Sequence, residues 1–596
     1  MVLATSDWLI IILFFAVSLA VGVAFSGRAG RSTSDFFLSG RSMPWWLLGI
    51  SMVATTFATD TPNLVTDIVR THGVAGNWLW WAFLLTGMLT VFVYSRLWRR
   101  SGLLTDLEFY ELRYSGRSAA FLRGFRALYL GVFFNVLIMA SVTLALVKIC
   151  GVLLGVKPVW TVVTAAGVTM VYSALGGLSG VLVTDLVQFV MAMAGSAAAA
   201  VFLLSLPQIG SLHGLLTHPA VSGRLNLLPD FSDSRALAAV FIIPLAVQWW
   251  SVWYPGSEPG GGGYIAQRML AAKTENHALG ATFLFNVAHY ALRPWPWIIV
   301  ALCSLIVFPD LESLRRSFPH LNPAIVRNDL AYPAMLTFLP HGLLGLVIAS
   351  LFAAYMSTIS THLNWGASYV VNDFYRRFVT PGAGEKKLVR VGRLSTLLLM
   401  VAAGTLALLL EHSLQAFNIM LQVGAGTGAL FILRWFWWRI NALSEITAMI
   451  VSFLVAVYFE FFHASLGLAP LDDWQKLSLG VAVTSICWLA VIFFSRPADK
   501  STLLAFCRLI RPGGPGWKAV LADAGEDESL SSGAGGRWDV PSGLLCMFLG
   551  CGAVYSVLFA SGYWIYGRTG PALALTVSAV LFSGLLAEAW RRVRGV

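Results

Sequence analysis

The chain has 596 residues, of which 57% are hydrophobic and only 12% charged, and a formal net charge of +11; its mean hydropathy is +0.74. Soluble domains carry about 25% charged residues because their surface must be hydrated, so this composition excludes a soluble domain and sets most of the surface against hydrocarbon. The positive balance does not point to nucleic acid, since the basic residues sit in loops between apolar runs, and the six cysteines form no CxxC pair and imply neither a disulfide framework nor a metal site.

A spanning helix needs about 20 mostly apolar residues. By that criterion about 15 runs qualify, near 7–26, 44–69, 77–98, 126–149, 157–176, 181–206, 235–254, 279–308, 342–371, 389–410, 413–436, 442–463, 476–494, 541–562 and 570–589. The expected fold class is an all-α integral membrane protein. No basic residue precedes the first run, and Arg28 and Arg31 follow it. That is the reverse of a secretion signal, so the run reads as a retained helix with the N-terminus outside. Alternating from there places roughly three quarters of all Lys and Arg on the inside, as the positive-inside rule requires. The expected location is the plasma membrane, with a cytoplasmic C-terminus.

The second run, from Trp45, crowds Thr55, Thr56, Thr59, Asp60, Thr61 and Pro62 into its middle. Hydroxyl and carboxylate side chains compete for backbone groups, and Pro62 removes a donor and disfavours helix at Thr61. The pattern predicts a helix unwound near the bilayer midplane. Backbone freed there is tolerated only where it lines a cavity, and free carbonyls suit a small hard cation. A proline kink with hydroxyls bonded back to their own helix is the plainer alternative, against which the intramembrane Asp60 stands as a functional candidate.

The seventh run ends in PGSEPGGGG from Pro255, which cannot continue a helix. It lacks the phosphate-binding GxxxxGK[ST] pattern and reads as a flexible inside gate or loop. In the eighth run His289 and Arg293 share a face at i, i+4, either to meet a solute or to bond neighbouring carbonyls. The ninth run gathers Ser357, Thr358, Ser360 and Thr361 within about one turn, after the small Ala353 and Ala354. Hydroxyls facing loose carbonyls make a neutral oxygen site, which suits Na⁺ and suits transition metals poorly; interhelical bonding is the alternative. The polar stretch near 495–540 reads as a mobile cytoplasmic loop.

Several stretches resemble the sodium:solute symporter family: FFLSGRSMPWW from Phe36, EFYELRY from Glu108, YSALGGLSGVLVTDLVQ from Tyr172, YIAQRMLAAK from Tyr264, MSTISTHLNWGAS from Met356 with NDFY from Asn372, and FWWRIN from Phe436. They span about residues 10–465 in the family's order. The resemblance, to sodium/glucose cotransporter-like members, implies the leucine-transporter fold, a five-plus-five inverted repeat. It divides the chain into a leading helix and loop (1–43), a first repeat (44–206), a second repeat (207–464) and trailing helices (465–596). It further implies a sodium site on the backbone carbonyls of Ala54, Phe57 and Ala354 and the hydroxyls of Ser357 and Thr358. Asp185 resembles the family's acidic residue near the sodium exit path, with a helix-capping carboxylate as the alternative. The implied solute contacts are Thr56, Thr59, Asp60, Trp81, Gln248, Trp250, His289 and Gln422. The chain departs from the family pattern at Thr59–Asp60–Thr61, in the glycine run before Tyr264, and in LQVGAGTGALFILRW from Leu421.

The expected function is Na⁺-coupled symport of a small polar solute, with a lean to a sugar or polyol, and proton coupling as the nearest alternative. The implied partners are the solute, Na⁺ as coupling ion and the lipid bilayer, with no other cofactor, no nucleic acid and no obligate protein partner. A sensor on a transporter fold would need more than the 495–540 loop to signal through. An intramembrane enzyme would need an HExxH, a GxSxG or paired catalytic carboxylates, which the sequence lacks.

Overall fold

The computed structural model describes residues 3–251, 258–319, 321, 323, 326–410, 424–522 and 538–594. Its main helices are α1 (Thr5–Ala29), α2 (Trp45–Thr56), α3 (Thr61–His72), α4 (Val74–Ser101), α5 (Gly116–Leu154), α6 (Pro158–Leu204), α7 (Ser234–Trp250), α8 (Gly263–Ala271) and α9 (Glu275–Val307). They continue with α10 (Leu343–Val379), α11 (Glu385–Leu409), α12 (Gly428–Leu433), α13 (Ala442–Phe462), α14 (Asp473–Phe494), α15 (Lys500–Ile510), α16 (Val540–Ile565) and α17 (Thr569–Arg594).

Among the described residues, 11 helices are long and apolar enough to cross a membrane, against the 15 or so runs read from sequence. The difference has identifiable causes. The second run is broken into α2 and α3, α7 is short, and the first half of the eleventh run falls within 411–423, outside the described residues, leaving only the short α12 of it. The fifth and sixth runs are two helices that meet without a loop at Gly177, and they count together as the 47-residue element α6. At about 1.5 Å per residue the segments before and after Gly177 are each about 30–40 Å long, enough for the ~30 Å hydrocarbon core, and the chain turns between them at Gly177.

Gly177 holds φ 53 and ψ −160, a backbone region open essentially to glycine alone. The site is also closed to a side chain, since a Cβ there would stand 2.8 Å from the Phe36 carbonyl and 3.1 Å from Ala29 Cβ. Gly177→Ala is expected to cost about 1–3 kcal/mol, read as a lower thermal unfolding midpoint in detergent. An unchanged midpoint would refute the role given to this turn.

The centre of the bundle is α6 against α10, with α1 and α2 also on α6 and α9 on α2. Asp7, fully buried at the start of α1, accepts from the backbone N–H groups of Gly342 (2.6 Å) and Gly345 (2.9 Å) and pairs with His341 at 2.9 Å. It thereby caps the orphan donors at the start of α10. At the basic ends of α5 and α10, Arg123 bridges Asp373 (2.7 Å), Glu111 (2.7 Å) and Glu108 (3.2 Å), and Arg377 holds Glu111 at 2.9 Å. Burial raises the Glu111 carboxyl, but hydrogen bonds from Arg377 and Arg123 outweigh it and hold the group below its ordinary range.

The described part of the polar stretch is not loose. Phe506 of α15 stacks on Trp517 at 5.4 Å, and Trp517 Nε1 donates to the Trp435 carbonyl at 3.0 Å. Arg113 lies over the Phe506 and Trp517 rings. These aromatic anchors bind residues 500–522 to the bundle, which corrects the expectation of mobility there; 523–537 lie outside the described residues.

Candidate functional site

The break in the second run is where the sequence places it. α2 ends at Thr56 with Phe57 at φ −86, ψ 70, and α3 restarts at Thr61 with Pro62 in its first turn, where a missing N–H costs nothing. The two half-helices therefore present carbonyls from one end and N–H groups from the other inside the bundle.

α10 crosses this break and is bonded to it at three levels. Thr358 Oγ1 donates to the Thr55 carbonyl at 2.8 Å and lies 3.1 Å from the Ala354 carbonyl. The Thr55 and Thr361 hydroxyls meet at 2.9 Å, and Thr59 Oγ1 donates to the Leu351 carbonyl at 3.2 Å. The structure thus brings Ala54 and Phe57 at the end of α2 to the same crossing as Ala354, Ser357 and Thr358. All five are buried.

Asp185 of α6 sits beside this crossing. Its carboxylate accepts from Ser51 at 2.5 Å and from Ser357 at 2.7 Å, and Arg268 Nη2 lies 4.0 Å away. Arg268 also donates to Thr361 at 2.7 Å and to Gln267 at 2.7 Å. Asp185 is therefore a member of a buried polar network rather than a helix cap. A hydroxyl has two lone pairs besides its proton. Ser357 and Thr358 donate to Asp185 and to Thr55, so their lone pairs stay available to a cation, and Asp185 polarises the Ser357 oxygen toward that use.

On the other side of α2, α9 widens into a π turn at Ala288–Leu292, a distortion common at functional sites. It carries His289 and Arg293 against Thr56. His289 Nδ1 lies 3.2 Å from Thr56 Oγ1, Arg293 Nη1 donates to that oxygen at 3.3 Å, and Arg293 Nη2 donates to His289 Nε2 at 3.3 Å. An Nε2 that accepts leaves the proton on Nδ1, which donates to Thr56. Thr56 in turn donates back to Val53 (2.9 Å) and Met52 (3.1 Å). Asp60 stands at the N-cap position of α3, in the gap between the two half-helices.

The other expected solute contacts divide. Gln248 Nε2 donates to the Leu79 carbonyl at 2.8 Å, which fixes the end of α7 on α4. Trp250 Nε1 donates to Ala246 of its own helix at 2.7 Å. Trp81 is fully buried, packs on Trp78 and Phe559, and its carbonyl accepts from Tyr555; its ring belongs to the contact between α4 and α16. The neighbouring Trp80 meets the His289 ring edge-on at 5.7 Å, and the sequence reading missed it. Gln422 lies outside the described residues.

The glycine-rich segment, expected to be flexible, is packed in its described part. Glu258 is 5% exposed and pairs with Arg126. Trp98 Nε1 donates to the Gly260 carbonyl at 2.8 Å, and the Gly263 N–H donates to Asp106 at 2.9 Å. Gly260 and Gly261 take φ 85 and φ 94, which lets the backbone turn flat against the Tyr94 and Trp98 rings.

Comparison with known proteins finds that the sequence model of the sodium:solute symporter family matches residues 36–452. A sodium/glucose cotransporter of Vibrio parahaemolyticus is 26% identical over 479 residues, covering 77% of this chain and 86% of the relative. A sodium/mannose cotransporter of Bos taurus is 26% identical over 498 residues, covering 77% and 80%, and a sodium/myo-inositol cotransporter of Mus musculus is 26% identical over 478, covering 74% and 64%. Among solved structures, a Na⁺-coupled sialic acid symporter in its substrate-bound outward-open state superposes with a TM-score of 0.66 at 21% identity, over 83% of this chain and 99% of that one. That likeness carries the fold, the leucine-transporter type expected from the sequence.

Proposed function

Because the chain belongs to the sodium:solute symporter family, we propose that it carries a small sugar or polyol across the plasma membrane, with Na⁺ held between the end of α2 and α10. It is a multi-pass, Na⁺-coupled secondary transporter, and no covalent chemistry enters the reading. The observation that carries it is the bond from Thr358 to the Thr55 carbonyl, because it fixes a neutral oxygen cluster at the break of a membrane helix. The solute reading draws on the glucose, mannose and myo-inositol of the relatives. It draws too on the Thr56, His289 and Arg293 cluster beside the Trp80 ring, a pairing of hydrogen-bonding groups with an apolar face that suits a hydroxylated ring. The N-terminus lies outside and the C-terminus in the cytoplasm in this reading, which the placement of the basic loops supports. One elementary charge crossing 100 mV is worth about 2.3 kcal/mol, so one Na⁺ supports at least about tenfold accumulation.

The test is uptake into proteoliposomes of D-glucose, D-mannose, myo-inositol and sialic acid under an inward Na⁺ gradient. At least one of them is expected to accumulate only with Na⁺. Uptake that ignores Na⁺ and follows a pH gradient would overturn the coupling, and uptake confined to amino acids or simple organic acids would overturn the solute class.

A further inference from the structure

A cavity lined by Thr86, Thr90, Glu258, Thr282, Asn286 and Tyr290 lies beside the His289 cluster. Asn286 and Thr282 stand about one and two turns from His289 along α9, toward the end that begins at Glu275 and Lys273. Tyr290 is the common wall, since its ring is 4.4 Å from that of His289. The backbone from Gly261 to Gly262 closes the far side with Glu258.

Apart from the Tyr290 hydroxyl and the second Asn286 amide proton, the polar groups facing this cavity offer acceptors. Thr90 and Thr282 each donate their one proton to a carbonyl of their own helix at 2.9 Å, and Thr86 donates to the Trp249 carbonyl, so what they offer is lone pairs. Asn286 donates one amide proton to the Thr282 carbonyl at 2.8 Å, and its Oδ1 meets no donor among the described residues. Glu258 gives one oxygen to Arg126, and the other meets no donor among the described residues. Asn286 is 0% and Glu258 5% exposed, and buried acceptors are rarely left unmet. The fold makes room for one of them: a Cβ on Gly87 would stand 1.7 Å from Asn286 Oδ1.

We propose that this cavity is a second, inner docking position for the transported solute, which it recognises through the solute's hydroxyl donors. The proposal rests on the sugar-or-polyol reading above. A polyhydroxylated solute supplies several donors at once and an apolar face for Tyr290. An anion would meet the Glu258 carboxylate. A small bare cation needs its oxygens converged at contact distance, whereas here they stand on three segments among Phe83, Ile265 and Phe285.

The test uses the full chain with tritiated D-glucose and myo-inositol as probes. Asn286→Leu removes the unmet acceptor, and Thr282→Val removes a lone-pair donor while keeping side-chain shape, so it carries the test should the first variant not fold. Na⁺-driven uptake should fall about tenfold in Asn286→Leu and several-fold in Thr282→Val. The probe concentration that half-maximally stabilises the protein in Na⁺ should stay within about twofold of wild type, since binding at His289 is untouched. Wild-type uptake in folded variants overturns the inner position, as does an equal loss of binding and uptake, which would put Asn286 in the central site. If wild type itself shows no Na⁺-dependent binding or uptake of either probe, the solute reading fails and takes this inference with it.

Discussion

Replacing both Ser357 and Thr358 with alanine is expected to abolish Na⁺-driven uptake at ordinary sodium concentrations. Hydrogen bonds and contacts to charged groups are worth about 1.5–3 kcal/mol each, so loss of two oxygens weakens Na⁺ binding by roughly two to four orders of magnitude. Solute affinity must then fall as well, because linkage makes the two bindings reciprocal. The double variant also leaves one Asp185 oxygen and the Thr55 carbonyl without the hydroxyls that now meet them at 2.7 and 2.8 Å. Thr358→Val, which keeps the side-chain volume and removes a single oxygen, separates ion binding from folding: it should raise the sodium concentration for half-maximal uptake by about tenfold or more. An unaltered sodium dependence in a folded Ser357→Ala, Thr358→Ala protein would remove the ion from this crossing.

The second large effect is on stability. Arg268 and Asp185 are each 0% exposed, and Arg268 ties Ser51, Thr361 and Gln267 together beside the Asp185 carboxylate. Arg268→Met leaves a buried carboxylate facing only hydroxyl donors, and breaking a buried pair from one side costs about 3–5 kcal/mol. Adding Asp185→Asn removes the stranded charge, so the double variant should be more stable than Arg268→Met alone, a coupling that a thermal unfolding cycle measures directly. Strictly additive losses would show that the two side chains act independently.

Much of the site was readable because it rests on local rules. Pro62 and the run of hydroxyls before it break a helix wherever they occur, and the i, i+4 spacing of Ser357 and Thr361 puts them on one face; both face the α2 and α6 side. What stayed hidden depends on phase or on distant partners. Trp80 and Trp81 are equally aromatic, and only the rotation of α4, set by its contact with α16, turns one toward His289 and the other toward Phe559. Arg268 and Asp185 are 83 residues apart with no periodicity linking them. The 500–522 segment was misread because average polarity hides two well-placed rings, Phe506 and Trp517. Gly177 lies in a stretch whose hydropathy marks two runs without saying that they join at a single glycine with no loop between them.

The capping of α10 by Asp7 has a consequence for how the chain is made. The carboxylate and its Gly342 partner are 335 residues apart. At 5–20 residues per second on the ribosome, about 20–70 s pass between the appearance of one and of the other. Through that interval α1 is in the bilayer with an acidic group that has the Ala4 N–H at 2.9 Å but whose partners at the start of α10 do not yet exist. Its insertion and its docking are therefore separate events in synthesis, and the leading helix takes its final place only after the tenth main helix has begun to emerge.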